Sequence, residues 1–422
     1  MNGGRFEVEF AIVGAGVAGL WLGAELLRRG SRVLLIDYRF IGQYASSRNQ
    51  GWLHSGSMYA VLNGSTLPGQ VAPVCLESNG RLKHFCRRHC PDAILKPQGA
   101  LFLFQNADKA KAAASNVEKL GVPISWVTKE QIHGYESRLA STIFSFGFLS
   151  MTDCAFVARP ILNALVRMNE MRGASFIGSA CPLPEIKIEK RSSGWSLFDG
   201  AVTVVAAKVV LCAGAMNPLL LRIITGRDPD IHILRSFIGV FHTLITRRIV
   251  RIDAGPSAIM FCPFPGGTTV NAWETDVDSQ VQPELQPDPY IIKNFEPQLS
   301  RVLRLSAGEK MHFYTCEKLN NTNSARNPYP AKEYGNRHYF WTDESDGLYS
   351  FYPGKFMAVP LACEDLASTL IPQPSVGRIK KSEAGRPAPL SVPELPVYSA
   401  PTHVAGPTDG GRIEIISLRP VE

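Results

Sequence analysis

The first 37 residues alternate between short apolar runs and one amphipathic stretch. Glu7 to Val13 is a run of β-branched and aromatic residues that is typical of a strand, and Arg32 to Ile36 is a second such run. Between them, Val17 to Arg29 carries leucines at helical spacing and ends before Gly30, a common helix stop. The pattern therefore predicts a strand, a helix and a strand at the start of the chain.

The same reading predicts mixed elements further along. Residues 76–149 are expected to contain a helix, a strand and a helix, at Leu76–His89, Ala100–Phe104 and Asp108–Leu120. Residues 231–334 alternate strand-like runs with a helical stretch around Ile291 to Leu305. Within them, FCPFPGG at Phe261–Gly267 predicts a turn between two strands.

Composition narrows the class of protein. The 422 residues are 45% hydrophobic and 19% charged, which excludes a disordered chain and a small disulfide scaffold. The length is typical of two or three domains. The net charge of +7 is scattered, without the basic arm of a nucleic-acid-binding protein, so no nucleic-acid partner is expected. A mild basic excess suits a small anionic substrate or a weak attraction to an anionic membrane surface.

The cysteines and the first residues of the chain predict where in the cell the protein is found. Nine cysteines without a CxxC pair read as reduced residues of a cytoplasmic protein, with peripheral association at a membrane left open. We expect no signal peptide and no transmembrane helix. Cys86 and Cys90 lie four apart, which we interpret as a buried helix face, and no metal site is expected. Residues 372–422 hold nine of the 30 prolines and predict an irregular C-terminal extension, in which RIEIISL could add one strand.

The strongest motif is GAGVAG, which follows the first predicted strand. Gly14 permits a tight turn, Gly16 lets the backbone approach a pyrophosphate, and Gly19 allows helix and strand to pack closely. Asp37 ends the second strand, where a carboxylate can accept hydrogen bonds from ribose hydroxyls. The unit predicts dinucleotide binding. An acid at this position argues against NADP, while the motif alone leaves FAD and NAD open.

A polar loop and an aromatic stretch follow the acid. The stretch SSRNQGWLHSGSMYAV, starting at Ser46, resembles the flavin-binding segment of the D-amino-acid-oxidase-like superfamily of FAD-dependent oxidoreductases. It is most similar to the FAD subunit of anaerobic glycerol-3-phosphate dehydrogenase and to L-2-hydroxyglutarate oxidases. The resemblance continues through residues 85–104, 201–218 and 347–361 in the same order. FAD is therefore the cofactor that the resemblance implies.

The resemblance also implies a fold. It is an α/β fold in which a Rossmann-like FAD-binding domain is interleaved with an antiparallel-sheet substrate domain. The FAD-binding domain would comprise residues 1–75, 150–230 and 335–371, and the substrate domain residues 76–149 and 231–334. The implied FAD contacts are Gly14, Gly16, Val17, Ala18, Gly19, Asp37, Tyr38, Ser46, Ser47, Arg48, Asn49, Gln50, Gly51, Ala180, Cys181, Ala213, Gly214, Gly354, Lys355, Phe356 and Met357.

Three residues are candidates for the chemistry. His54 follows the flavin loop and could accept a substrate proton, although a structural histidine is the alternative. Lys318 occupies the place where the similar dehydrogenases have an arginine that contacts the substrate anion, and Arg337 is a further cation. His312 is a second pocket histidine, whereas His242 is expected to be a satisfied histidine within a strand.

Three functions remain open at this point. The first is oxidation of C–OH to C=O on a hydroxy acid or polyol phosphate by hydride transfer to flavin N5. The second is oxidation of an amine or amino acid. The third is a flavin-bearing subunit of a multi-subunit dehydrogenase. The expected partners are a small anionic substrate and either an electron-accepting subunit or O2.

Overall fold

The structure is a computed structural model that describes most of the chain. It describes residues 5–38, 41–42, 44–61, 71–95, 99–140, 144–179, 181–227, 233–253, 258–277, 289–306, 309–319, 339–371 and 414–417. The strands in these residues are β1 (Arg5–Val13), β2 (Val33–Tyr38), β3 (Trp52–Leu53), β4 (Ala100–Phe104), β5 (Ile124–Val127), β6 (Phe146–Ser150), β7 (Cys154–Ala155), β8 (Ser175–Ser179), β9 (Lys187–Arg191), β10 (Gly194–Phe198), β11 (Thr203–Leu211), β12 (Ile233–Phe241), β13 (Ile249–Asp253), β14 (Ile259–Phe264), β15 (Gly267–Val277), β16 (Lys310–Leu319), β17 (Phe340–Ser345), β18 (Leu348–Tyr352) and β19 (Glu414–Ser417). The helices are α1 (Val17–Arg28), α2 (Ser57–Val61), α3 (Val71–His89), α4 (Ala107–Lys119), α5 (Lys129–Tyr135), α6 (Ala158–Met171), α7 (Asn217–Thr225), α8 (Pro289–Val302) and α9 (Val359–Leu370).

The first sheet has a parallel centre. Its described strands run in the order β17-β18-β11-β1-β2-β8, and β1, β2, β8, β11 and β18 pair in parallel. The strand β17 and the β9–β10 hairpin add antiparallel pairs at the side. Because parallel strands end at the same edge, the turns after β1, β2, β8, β11 and β18 meet there.

Both faces of this sheet are buried, as expected of a parallel sheet. Phe10 and Ile12 of β1 lie in one core with α1, α3, α6 and α9, whereas Ala11 and Val13 lie in the core on the other face. The alternation along one strand therefore separates two cores. This explains why the second half of β1, Phe10–Val13, is continuously apolar and buried, whereas its first half alternates.

The second sheet is mostly antiparallel. Its described strands run in the order β19-β16-β12-β15-β14-β13-β4-β6-β5, with parallel pairs only at β4–β13 and β16–β19. One face packs against α8 through Phe295 and Leu299. The other face packs against α4 and Trp52. A third, two-stranded antiparallel sheet is formed by β3 and β7, with Trp52 opposite Ala155.

The sequence-based elements agree with this structure. The predicted strands and helices at the start of the chain are present, and Ala100–Phe104 is a strand with the predicted bounds. The turn within Phe261–Gly267 joins β14 to β15, and the last predicted strand is β19, beside β16. The α/β fold with its parallel and antiparallel sheets is confirmed. Among the described helices, none is long and apolar enough to cross a membrane.

The division into domains stays a proposal, and the packing of α3 bears on one boundary. Leu82, Phe85 and Cys86 of this helix lie in the core formed with α1, α6 and α9. We therefore propose that α3 belongs with the FAD-binding part, although the sequence placed residues after 75 in the substrate part. All nine cysteines are free thiols, and eight of them are buried.

Candidate cofactor and substrate site

The turn between β1 and α1 is shaped by backbone contacts that admit only glycine. Gly14 has φ +102°, and a Cβ on it would lie 2.7 Å from the carbonyl carbon and oxygen of Cys212. A Cβ on Gly19 would overlap the carbonyl oxygen of Gly14. These approaches bring the end of β11 against the turn. Gly16 supplies no capping side chain and the first turn of α1 has no acidic residue, so this helix end is suited to an anion.

Asp37 closes the opposite side of the turn. Its Oδ2 accepts the Ala15 amide at 2.8 Å and its Oδ1 accepts the Tyr38 amide at 2.7 Å. Burial raises the pKa of Asp37 to about 6, although these two amides act to lower it. The residues fit FAD, because a carboxylate faces the glycine turn where ribose hydroxyls would need an acceptor.

FAD affinity is expected to depend on the charge of Asp37. As the pH falls below about 6, the carboxyl group gains a proton and loses acceptor capacity, so the affinity should fall by up to about tenfold per pH unit. Equilibrium dialysis of FAD between pH 5 and 8 measures this. Asp37→Asn should bind FAD more weakly at pH 8 and show a flat profile. An unchanged slope in that variant would place the titrating group elsewhere.

The segment Tyr44 to Gly51, which we call the flavin loop, begins at the same helix. The Val17 amide donates to Ser46 Oγ at 2.9 Å, and a Cβ on Gly16 would lie 2.9 Å from the same oxygen. The loop is held by its own bonds: the Asn49 amide nitrogen Nδ2 donates to the Ser46 carbonyl, and the Gly51 amide donates to Asn49 Oδ1. Arg48 lies 5.9 Å from the centre of the Tyr44 ring.

The other end of the flavin loop contacts the second sheet. Thr269 Oγ1 donates to the Gln50 carbonyl at 2.8 Å, and Tyr314 of β16 donates to the Asn49 carbonyl at 3.1 Å. The Cys262 thiol lies 3.1 Å from the Gly51 carbonyl. One loop thus joins the positive end of α1 to a face of the second sheet. A dinucleotide bound at α1 would lie next to that face.

The ends of β8 and β11 lie on either side of the glycine turn between β1 and α1. Tyr38 pairs with Ser179, so Cys181 follows directly beside the end of β2, where the resemblance places the adenine. On the other side, the Ala213 amide donates to Asn217 Oδ1 at 2.7 Å. Asn217 Nδ2 donates to the carbonyls of Leu211 and Phe351 at 3.0 Å each. This buried asparagine fixes the turn at Ala213–Gly214.

The loop after β18 approaches the flavin loop. Gly354 has φ +70°, and the Lys355 amide donates to the Pro353 carbonyl at 2.7 Å. Phe356 contacts Phe156 with ring centres 5.0 Å apart. The Phe156 amide in turn donates to the Gly51 carbonyl at 2.8 Å. The structure therefore brings together the three segments that the sequence predicted to bind FAD, at the starts of α1 and α9 and in the flavin loop.

His54 lies buried beside these segments. Its ring packs edge-on to Tyr59 at 5.2 Å, and its Nδ1 faces the Gly56 amide at 3.4 Å. Burial, and secondly the charge of Lys355, lower the pKa of His54 to about 3. The imidazole is therefore neutral in the physiological range, and in this environment it is a weak base.

Asp153 organises the segment that carries His54, and sequence reasoning missed it. Its carboxylate accepts the Ser55 amide at 2.8 Å, Ser57 Oγ at 2.8 Å and Trp52 Nε1 at 3.2 Å, and it is also bonded by Ser150. Burial raises its pKa and these donors act to lower it. The only sequence signal was an acidic residue inside the otherwise apolar run FLSMTDCAF.

Several predicted residues are described only in part or not at all. Lys318 lies on β16 opposite Leu234, and nothing further is described for its side chain. Arg337 and Ala180 lie outside the described residues. His312 is buried on β16 with its Nδ1 unpartnered among the described residues.

The prediction for His242 was wrong. Strand β12 ends at Phe241, and His242 is exposed, with its ring 4.7 Å from that of His312. The strand was predicted from an apolar run in the sequence. That run continues beyond Phe241, whose pairing with Thr268 is the last one between β12 and β15.

The glycine turn, the acid beside it and the loop shared with an antiparallel sheet define a dinucleotide-binding oxidoreductase of the flavoprotein class. Comparison with family models agrees. Residues 9–329 match the model of the DAO family, FAD dependent oxidoreductase, and the chain belongs to this family. It is an enzyme whose cofactor is FAD, as predicted.

Curated relatives resemble the chain over part of its length. A probable FAD-dependent oxidoreductase of Pseudomonas aeruginosa is 28% identical over 230 residues, 51% of this chain and 54% of that protein. One subunit of the anaerobic glycerol-3-phosphate dehydrogenase of Escherichia coli is 30% identical over 126 residues, 29% of this chain and 21% of that protein. The chain thus spans about half or less of the length of these relatives.

Solved structures share the fold over most of the chain. Glycine oxidase from Geobacillus kaustophilus superposes with a TM-score of 0.65 at 20% identity, covering 86% of this chain and 94% of that one. Glycerol-3-phosphate dehydrogenase from Bacillus halodurans, solved with FAD, superposes with a TM-score of 0.58 at 14% identity, covering 87% of this chain and 65% of that one. At these identities the likeness shows the fold.

Proposed function

We propose that the protein oxidises a small anionic substrate, converting C–OH to C=O on a hydroxy acid or polyol phosphate. The observation that carries this proposal is the flavin loop, which bonds to α1 through Ser46 and to the second sheet through Asn49 and Gln50. FAD bound along this loop would supply N5 as the hydride acceptor. The facing sheet would then hold the substrate against it.

The residues of the chain supply the other requirements of the reaction. We propose Gly14, Gly16, Val17, Ala18 and Gly19 as the diphosphate contacts, because their close-packed turn ends at the positive N-terminus of α1. The Val17 amide already donates to Ser46 Oγ, so the amides of Ala18 and Gly19 would be the main donors to the anion. We propose His54 as the group that accepts the hydroxyl proton, because it is buried directly after the flavin loop, and its pKa of about 3 must rise when FAD and substrate bind. Lys318 and Arg337 remain the cations that the family resemblance suggests for the substrate anion.

Anaerobic reduction of the bound flavin tests this proposal. Hydroxy acids or polyol phosphates should bleach the flavin absorption of the purified protein, whereas amines and N-methyl amino acids should leave it unchanged. Bleaching by amines alone would replace alcohol oxidation with the second candidate. No bleaching by any compound of the panel would contradict the proposal as a whole.

Oxidation of an amine or amino acid is the second candidate, and a sequence resemblance supports it. A curated glycine oxidase of Geobacillus kaustophilus is 26% identical to the chain over 218 residues, 50% of this chain. An amine that arrives neutral needs no proton acceptor, so the low pKa of His54 would be no obstacle. The panel described above separates the two candidates directly.

The electron acceptor is a separate part of the proposal. The relative from Escherichia coli is named as one part of a multi-subunit enzyme, which suggests an electron-accepting partner protein for this chain, and O2 is the alternative. Reoxidation of the bleached flavin in air-saturated buffer separates them. Reoxidation by air that is as fast as flavin reduction supports O2 as the acceptor. If reoxidation by air is slow and a quinone or another electron carrier accelerates it, a partner protein is supported.

Replacing His54 should slow flavin reduction. His54→Ala is expected to lower the rate of single-turnover bleaching about 100-fold or more if the imidazole accepts the proton. FAD content should not change. His84→Ala, which alters an exposed histidine on α3, is the control and should react at the original rate. An unchanged rate for His54→Ala would remove the imidazole from the chemistry.

A further inference from the structure

The face of the second sheet that contacts the flavin loop carries buried polar atoms with unused hydrogen-bonding capacity. Arg251 on β13 is 5% exposed and Asn271 on β15 is 7% exposed. Within the residues that the structure describes, Arg251 Nε and Asn271 Oδ1 have no hydrogen-bond partner. Such groups are normally satisfied in folded proteins, because leaving them buried and unpaired costs the free energy of their desolvation. Two such atoms on one face of the sheet suggest that a bound molecule supplies their hydrogen-bond partners.

The strand register places the two side chains on either side of one residue. Arg251 pairs with Met260 of β14, and Met260 pairs with Asn271. Two strand spacings separate Arg251 from Asn271, about 10 Å. The residues that alternate with them, Val250, Phe261 and Val270, lie in the core on the opposite face. Arg251 and Asn271 therefore share the face that meets the flavin loop.

This row of residues lies under the flavin loop itself. Gln50 Nε2 approaches the Met260 carbonyl at 3.4 Å, and Thr269, two residues before Asn271, donates to the Gln50 carbonyl. Asn271 pairs with Ile238 of β12, which in turn pairs with Tyr314 of β16. The Tyr314 hydroxyl donates to the Asn49 carbonyl in the flavin loop. The unused polar atoms are thus next to the segment that we propose to hold the flavin.

The guanidinium group of Arg251 presents one free edge. Its Nη1 contacts Met260 Sδ at 3.8 Å. The Nε–H and the Nη2 amino group lie on the other edge and make no hydrogen bond to the described residues. Asp253 is the acidic residue whose charge acts on Arg251, but the two form no ion pair in the part of the chain that is described. A paired Nε and Nη2 edge matches the two oxygens of a carboxylate or phosphate.

We propose that Arg251 and Asn271 anchor the substrate, with Arg251 binding its carboxylate or phosphate group through Nε and Nη2. Asn271 Oδ1 accepts a hydrogen bond from a hydroxyl or amino group of the same molecule. The substrate class is then a small molecule that carries an acidic group and a donor a few bonds away. This inference rests on the proposed function, because it places the substrate between the flavin loop and the sheet.

Ligand binding to the FAD-loaded protein tests the inference without turnover. The perturbation of the visible flavin spectrum is titrated with acetate in one arm and with inorganic phosphate in the other. Arg251→Met should weaken binding about 100-fold in the arm that matches the natural acidic group, as expected for loss of a charge-assisted bidentate pair. Arg251→Lys should weaken it less, since the charge remains without the planar fork. Arg227→Met, at an exposed arginine, should have no effect.

The inference is overturned if the original protein and Arg251→Met bind both anions equally, or if the original protein binds neither. If Arg251→Met does not retain FAD, Asn271→Leu decides. Glycolate should bind more tightly than acetate to the original protein, and that advantage should disappear in Asn271→Leu. A retained advantage overturns the inference.

The two proposals fail separately. Anion binding that depends on Arg251, without bleaching by any compound of the panel, would keep the anchoring site and refute the oxidation. In the opposite case, a compound of the panel bleaches the flavin, and the dependence of bleaching on its concentration is the same in Arg251→Met as in the original protein. That result would support the oxidation and refute the anchoring site.

Discussion

Gly16→Val is expected to yield a folded protein that has lost its FAD. A Cβ at this position already lies 2.9 Å from Ser46 Oγ, and two further methyl groups must displace that hydroxyl from the Val17 amide. The valine would also occupy the approach of the diphosphate. We expect the FAD content of the purified variant to fall below about a tenth of the original, since several kcal/mol of binding would be lost. The visible absorbance of oxidised flavin, relative to protein concentration, measures the FAD content.

The backbone at Gly16 makes this test specific. Its φ of −72° is accessible to valine, so the change acts through contact rather than through a strained turn. Gly80→Val is the matched control, because a Cβ at Gly80 has open space around it. That variant should keep its full FAD content. A fully flavin-loaded Gly16→Val would contradict the assignment of this turn to the diphosphate.

Asp153→Ala is expected to have the largest effect on stability. The substitution leaves Trp52 Nε1, the Ser55 amide and Ser57 Oγ without their buried acceptor. Losing these bonds should lower the free energy of unfolding by about 3 kcal/mol, as measured by urea denaturation. His54 lies within this segment, so flavin reduction by a substrate found in the panel should also slow by about tenfold or more.

Two further variants separate structure from positioning in this result. Asp153→Asn keeps one acceptor oxygen and should recover part of the stability, but less of the reduction rate, because the amide cannot accept at both positions. Asp108→Ala, at an exposed aspartate, should change stability by less than about 0.5 kcal/mol. Equal stability of Asp153→Ala and Asp108→Ala would show that the buried bonds contribute nothing.

The sequence predicted the local elements well because their signals are local. The strand–helix–strand pattern around Gly14 follows from short-range periodicity, and the spacing of its glycines is a short motif. The family resemblance supplied what periodicity could not, namely that the ends of β1, β11 and β18 converge. The observed bonds of Asn217 to Leu211 and Phe351 give the physical reason for that convergence.

Long-range polar partners were beyond sequence reasoning. Asp153 is bonded to residues about a hundred positions earlier, and nothing in its own segment indicates them. Arg251 and Asn271 come together only through the register of three strands. A strand that pairs with distant strands fixes which side chains are neighbours, and the register is a property of the whole sheet. The ends of strands are similarly weakly specified, which explains the wrong assignment of His242.

The parallel pair β4–β13 constrains how new substrate pockets can arise in this architecture. It joins Ala100–Phe104 to Ile249–Asp253, so one continuous sheet is built from two stretches of chain with strands of the other sheet between them. A recombination event that exchanges one stretch would leave half of a foreign sheet to pair with half of the resident one. Diversification is therefore expected to proceed by point substitution along the strands, or by exchange of both stretches at once.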